Sequence, residues 1–186
     1  MLLLLTLAVA PVKVCTIPLA DLVARCPLIL VGRVERIAET PHDGKVAVVT
    51  VVGVVKGDKT LESVYVLASR LWTCDASGAV AGETALLFLS DGPGLDLKDG
   101  LVDAAREFVG PAPLYFEAHA GRGRMPIHEG SADLHVAALG DIDEVRAWPS
   151  TCKACTLPHQ CPLADVLANV HRILDEQAEA VAPAPR

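Results

Sequence analysis

Aromatic side chains are scarce in this chain, with two Trp, two Tyr and three Phe among 186 residues. Surfaces that stack nucleobases or sugar rings need aromatic platforms on a strand face, so this class of ligand is not expected. Blocks of like charge are missing as well. The 16 Lys and Arg are outnumbered by 23 Asp and Glu, and the formal net charge of −7 is spread along the chain. Such a surface favours solubility and argues against a nucleic-acid partner. No apolar run is long enough to cross a bilayer, because the longest, Met1–Ala10, ends after ten residues.

Catalytic signatures are also lacking. Ser69 and Ser90 have no nucleophile-elbow glycines around them. Gly121-x-Gly123 lacks the third glycine and the helix of a dinucleotide loop, and His128-Glu129 lacks the second histidine of a zinc-protease helix. The chain is therefore expected not to be an enzyme.

What is present is an aliphatic core. Hydrophobic residues make up 52% of the sequence, rich in Val, Leu and Ala, enough for one domain with a buried interior. Residues 1–10, MLLLLTLAVA, match the apolar region of a secretory signal, so a secreted or periplasmic protein is expected. On that reading the mature chain has no transmembrane segment. Six cysteines (Cys15, Cys26, Cys74, Cys152, Cys155 and Cys161) fit an oxidising compartment, and sequence alone leaves their pairing open.

Hydrophobic spacing places the elements. Thr16–Arg25 reads as a short helix, capped by Thr16, with Pro18 in its first turn and Leu19, Leu22, Val23 and Cys26 on one face. Leu28–Ile37 alternates as a strand that becomes half exposed towards its end, and Gly32 within it marks a bulge or a close backbone approach. Thr40–Gly44 reverses the chain. Val46–Val55 is apolar on both faces, which predicts cover on both sides. Ser63–Leu67 and Ala85–Leu89 are further strands, Leu101–Val109 has helical spacing and Leu114–Ala118 looks extended. Met125–His128 and Asp133–Ala137 form a predicted late hairpin through Gly130-Ser131. Pro162–Glu176 is an amphipathic helix whose stripe is Leu163, Val166, Leu167, Val170, Ile173 and Leu174.

These elements predict a mainly β fold with flanking helices, a small Greek-key barrel of the oligomer-binding (OB) type stapled by disulfides. The barrel unit is expected over residues 15–161. The C-terminal helix packs on it over 162–177, and 178–186 form a frayed tail.

Several motifs together resemble the netrin-like modules, which include the tissue inhibitors of metalloproteinases (TIMPs) and exported bacterial proteins. They are Cys15-x10-Cys26, Val31-Gly32-x-Val34, the Val-rich strand ending in Val55-Lys56-Gly57, Cys74, and Gly82-x4-Leu87-Phe88-Leu89. The resemblance covers Cys15–Leu89. It implies a five-stranded OB barrel, a Cys15–Cys74 bridge, a bridge from Cys26 to the Cys152–Cys161 cluster, and a local bridge between the remaining two. A loop of roughly 60 residues closed by such a bridge contributes about 4 kcal/mol in the chain-entropy model. It also implies a binding surface around Cys15, Thr16 and Ile17, with Trp72 and the neighbouring loop near Leu71–Asp75. In the inhibitors, the mature chain begins at a cysteine whose amine and carbonyl chelate the protease zinc, and a second cysteine follows two residues later. Here Thr16-Ile17 follows Cys15, so inhibition by that mechanism is not expected.

The expected function is a non-enzymatic exported binding or structural module, with a protein partner in the cell envelope or outside the cell and no cofactor. The alternative is a zinc-binding or thiol-redox protein. Cys152-x2-Cys155-x3-His159-x-Cys161 has the donor set for a tetrahedral zinc site, although disulfides compete for the same thiols. His119, His128 and His135 are expected on the surface of the late strands, and Arg122-Gly-Arg124 in a solvated turn.

Overall fold

In the computed structural model, which describes residues 18–69, 78–92, 100–118, 123–133 and 160–181, the first element is helix α1 over Leu19–Arg25. Pro18 is its N-cap, with an extended ψ of 140°, so the proline stands before the first turn and not within it. The Pro18 carbonyl accepts from the N–H groups of Asp21 and Leu22 at 3.0 and 3.2 Å. Leu19, Leu22, Val23 and Cys26 are buried together, as their helical spacing predicts.

Two long strands follow, β1 over Leu28–Thr40 and β2 over Gly44–Lys56. Both run past the predicted ends because the antiparallel pairing continues through Ala38↔Val46 and Glu39↔Lys45 to Thr40↔Gly44. His42 and Asp43 turn the tip with φ of 62° and 58°, a conformation that Asn, Asp and His tolerate better than most residues. Register breaks at three places leave Glu35, Val52 and Val55 without a direct partner in this ladder. Each bulge adds twist, and a hairpin this long needs twist to wrap into a small barrel.

The remaining barrel strands are β3 (Ser63–Leu67), β4 (Thr84–Ser90) and β5 (Leu114–Glu117). Their pairing order is β1–β2–β3–β5–β4, and β4 pairs back to β1 through Leu28↔Leu89 to Arg33↔Thr84, which closes the sheet. The β3–β5 pairing is parallel and the others are antiparallel. The result is a closed five-stranded mixed barrel with flanking helices, OB-like in order. Helix α2 (Leu101–Val109) lies between β4 and β5 in sequence. Beyond the barrel, β6 (Arg124–His128) pairs with β4. The short strands β7 (Ser131–Asp133) and β8 (Gln160–Pro162) extend the sheet from β6.

Three cores use opposite faces of the same strands. Leu28, Leu30, Val34, Ala47, Val49, Val64, Val66, Ala85, Leu87 and Leu89 fill the barrel. Ile29, Leu86, Phe88 and Met125 point the other way, against α1 and the C-terminal helix α3 (Leu163–Val181). Val46, Leu67 and Phe116 meet Leu101, Ala105 and Val109 of α2. Residues Ala85–Leu89 are apolar without interruption because both sides of β4 are covered.

The same argument fails for half of β2. Its first part is covered on both sides, but Thr50 and Gly53 are exposed and Val52 is 67% exposed. α2 packs beside Val46, and Val52, on the same outer face by alternation, lies beyond that cover. Apolar composition alone did not reveal where the covering helix stops.

Two glycines sit where backbone approaches closely. A Cβ on Gly32 would collide with the Val49 side chain inside the barrel and lie 2.9 Å from Leu30 Cδ1, so the predicted close approach is present. Gly123 stands where β5 and β6 share one edge of β4. Its carbonyl accepts from Phe88 N–H at 2.7 Å and its N–H donates to the Ala118 carbonyl at 2.9 Å. A Cβ there would lie 2.5 Å from the Phe88 oxygen and 2.8 Å from the Ala118 nitrogen, both backbone atoms. Only glycine lets the two strands meet at this point.

The late hairpin turns through Glu129-Gly130, with φ of 49° and 78°, so its second strand starts at Ser131 and not at Asp133. A two-residue turn with both φ positive matches strand twist. Residues 134–137 of the predicted strand lie outside the described residues. Helix α3 continues to Val181, beyond the predicted Glu176 and into the predicted tail. Gln177 donates from Nε2 to the Ala20 carbonyl at 3.2 Å, which ties this extra turn to α1.

Candidate functional site

The predicted site residues Cys15, Thr16, Ile17, Trp72, Cys74, Cys152, Cys155 and His159 lie outside the described residues, as do His119, Arg122 and His135. The elements that carry the N-terminal and Trp72 segments are described. Pro18 leads directly from Cys15-Thr16-Ile17 into α1, and β3 ends at Leu67, shortly before Trp72 and Cys74. The pairings Leu67↔Phe116, Ser90↔Phe116 and Leu28↔Leu89 make the end of β3 and the start of β1 lateral neighbours across the barrel wall. Three strand spacings separate them, about 14 Å along the wall.

Beside the start of β1, α1 is clamped to the end of β2. Lys56 Nζ donates to the Val23 carbonyl at 2.6 Å, satisfying a C-terminal helix carbonyl and placing a cation at the negative end of the helix. Gly57 follows with φ of 105°, and a Cβ there would lie 3.0 Å from the Pro27 oxygen. The Val55-Lys56-Gly57 stretch thus fixes the joint between α1 and β1. This gives the motif a structural reason.

Cys26 closes α1, its N–H bonded to the Leu22 carbonyl at 3.1 Å. Burial pushes its thiol up to about 11, and the nearby Lys56 ammonium only partly opposes the shift. A thiol held protonated at neutral pH is a poor nucleophile and a poor redox centre. In protein kept reduced, the thiolate fraction at pH 8 should fall roughly hundredfold against an ordinary cysteine of the unfolded chain. Mass-resolved alkylation should therefore label Cys26 far more slowly in the folded than in the urea-unfolded protein, and equal rates would contradict this placement. Because the folded pKa is raised, the contribution to stability is fully present below about pH 9. It is lost as pH rises through about 11.

Cys161, the other described cysteine, is also buried and lines the same core as Cys26. No disulfide joins the two. The register explains why. Cys161 pairs with Ala132, Ala132 with Ile127, and the adjacent Pro126 with Ala85, whereas Cys26 precedes Leu28, the partner of Leu89. Ala85 and Leu89 are four residues apart on β4, about 14 Å along the strand. A bridge needs Cα atoms within about 7 Å. Of the predicted partners for Cys26, Cys161 is thus removed, and Cys152 and Cys155 lie outside the described residues.

The structure also brings together a group that sequence reading missed. Arg124 opens β6 opposite Leu87, and Glu117 ends β5 opposite Leu89, so both face the barrel side of the sheet. Arg124 Nη1 donates to both carboxylate oxygens of Glu83, at 2.8 and 2.9 Å, and Nε lies 3.6 Å from Glu117 Oε1. The side chains of Arg124, Glu83 and Glu117 are 9%, 13% and 2% exposed. Glu83 also accepts the Val80 N–H at 3.1 Å, which anchors the turn before β4. Arg124 is therefore turned inwards onto carboxylates and is not part of a solvated basic loop.

Tyr65, Phe88, Tyr115 and Phe116 lie on barrel strands, yet Phe88 and Phe116 are buried and the two tyrosines are half-buried against the cores. They supply packing and no exposed stacking platform. Among the described residues no set of three His, Cys, Asp or Glu side chains is arranged to hold a metal. His128 is exposed at the end of β6, as expected for a surface strand histidine. No helix among the described residues is long and apolar enough to cross a membrane.

No protein-family model matches the sequence and no curated protein matches it, so the closed OB-like barrel is the level at which the chain is placed.

Proposed function

We propose that this chain is an exported, non-enzymatic binding or structural module of netrin-like type. It meets a protein partner with the segments Cys15–Ile17 and Leu71–Asp75. The observation that carries this reading is the nearness of the points from which the two segments start. One leads into α1 beside the start of β1 and the other follows β3, and these points lie three strand spacings apart on the wall of a closed barrel. α1 is held there by Lys56, by Gln177 and by its buried apolar face, so the segment before it starts from a fixed point. A rigid origin lowers the ordering cost of binding.

The reading includes bridges between Cys15 and Cys74 and between Cys26 and Cys152 or Cys155. Non-reducing peptide mapping of protein recovered from the exported fraction tests it. The expected result is a mature N-terminus beyond residue 10 and a linked peptide pair containing Cys15 and Cys74. Six free thiols in the exported protein would sink the reading.

A further inference from the structure

We draw no further inference here: the strongest candidate, the buried Glu83–Arg124–Glu117 cluster on the inner side of the barrel wall, belongs to the site already described, and nothing among the described residues shows what ligand would face it.

Discussion

Arg124→Ala is expected to lower the unfolding free energy by about 3–5 kcal/mol, the usual cost of breaking a buried ion pair from one side. Urea denaturation should show this as a lower midpoint at unchanged slope. The cost comes from what remains. Glu83 and Glu117 would keep two carboxylates, 13% and 2% exposed, without the guanidinium that lies between them. Arg172 provides the control. Its pair with Glu176 on α3 is half exposed on both sides and spaced i,i+4, so Arg172→Ala should cost only about 0.3–0.5 kcal/mol. A double-mutant cycle of Arg124→Ala with Glu83→Gln should give a coupling above about 1 kcal/mol. Strict additivity would mean that the pair does not tie the β4 turn to β6.

Phe88→Ala should be about as costly, about 3–5 kcal/mol, because it empties the space of the largest fully buried side chain among the described residues. Phe88 points from β4 into the core shared by Leu22 and Val23 of α1 and by Val166 and Val170 of α3. The two helices meet the barrel through this core, so the loss should be felt first in their docking. Hydrogen exchange is expected to show faster exchange in α1 than in β2 of the variant. A cost below about 1 kcal/mol would place Phe88 outside the principal core.

The fold was legible where burial wrote a period into the sequence. Leu19, Leu22, Val23 and Cys26 give one face of α1, and Leu28–Val34 and Ala85–Leu89 give strands whose neighbours on both sides are apolar. The ends were less legible. β1 and β2 continue through Glu39 and Lys45 because pairing with each other, and not burial, sustains them there. The Glu129-Gly130 turn was missed because glutamate is not a usual residue at positive φ, and helix α3 outran its apolar stripe through residues with good helix propensity. For the site, spacing identified Lys56-Gly57 as notable but not as a clamp, since the partner carbonyl of Val23 is 33 residues away. The Glu83–Arg124 pair spans 41 residues and leaves no periodic trace. An arginine that starts a strand, flanked by glycine, reads as a turn until the register shows which face it occupies.

Closure of the barrel is what brings the starting points of the two proposed binding segments within three strand spacings of each other, and cross-strand nuclear Overhauser contacts test it most directly. Contacts pairing Leu30 with Leu87 on β1 and β4, and Tyr65 with Leu114 on β3 and β5, are the predicted result. A β1 strand that contacts only β2 along Leu28–Arg33, leaving its other edge open, would contradict the closed barrel and the nearness of the two segments that depends on it.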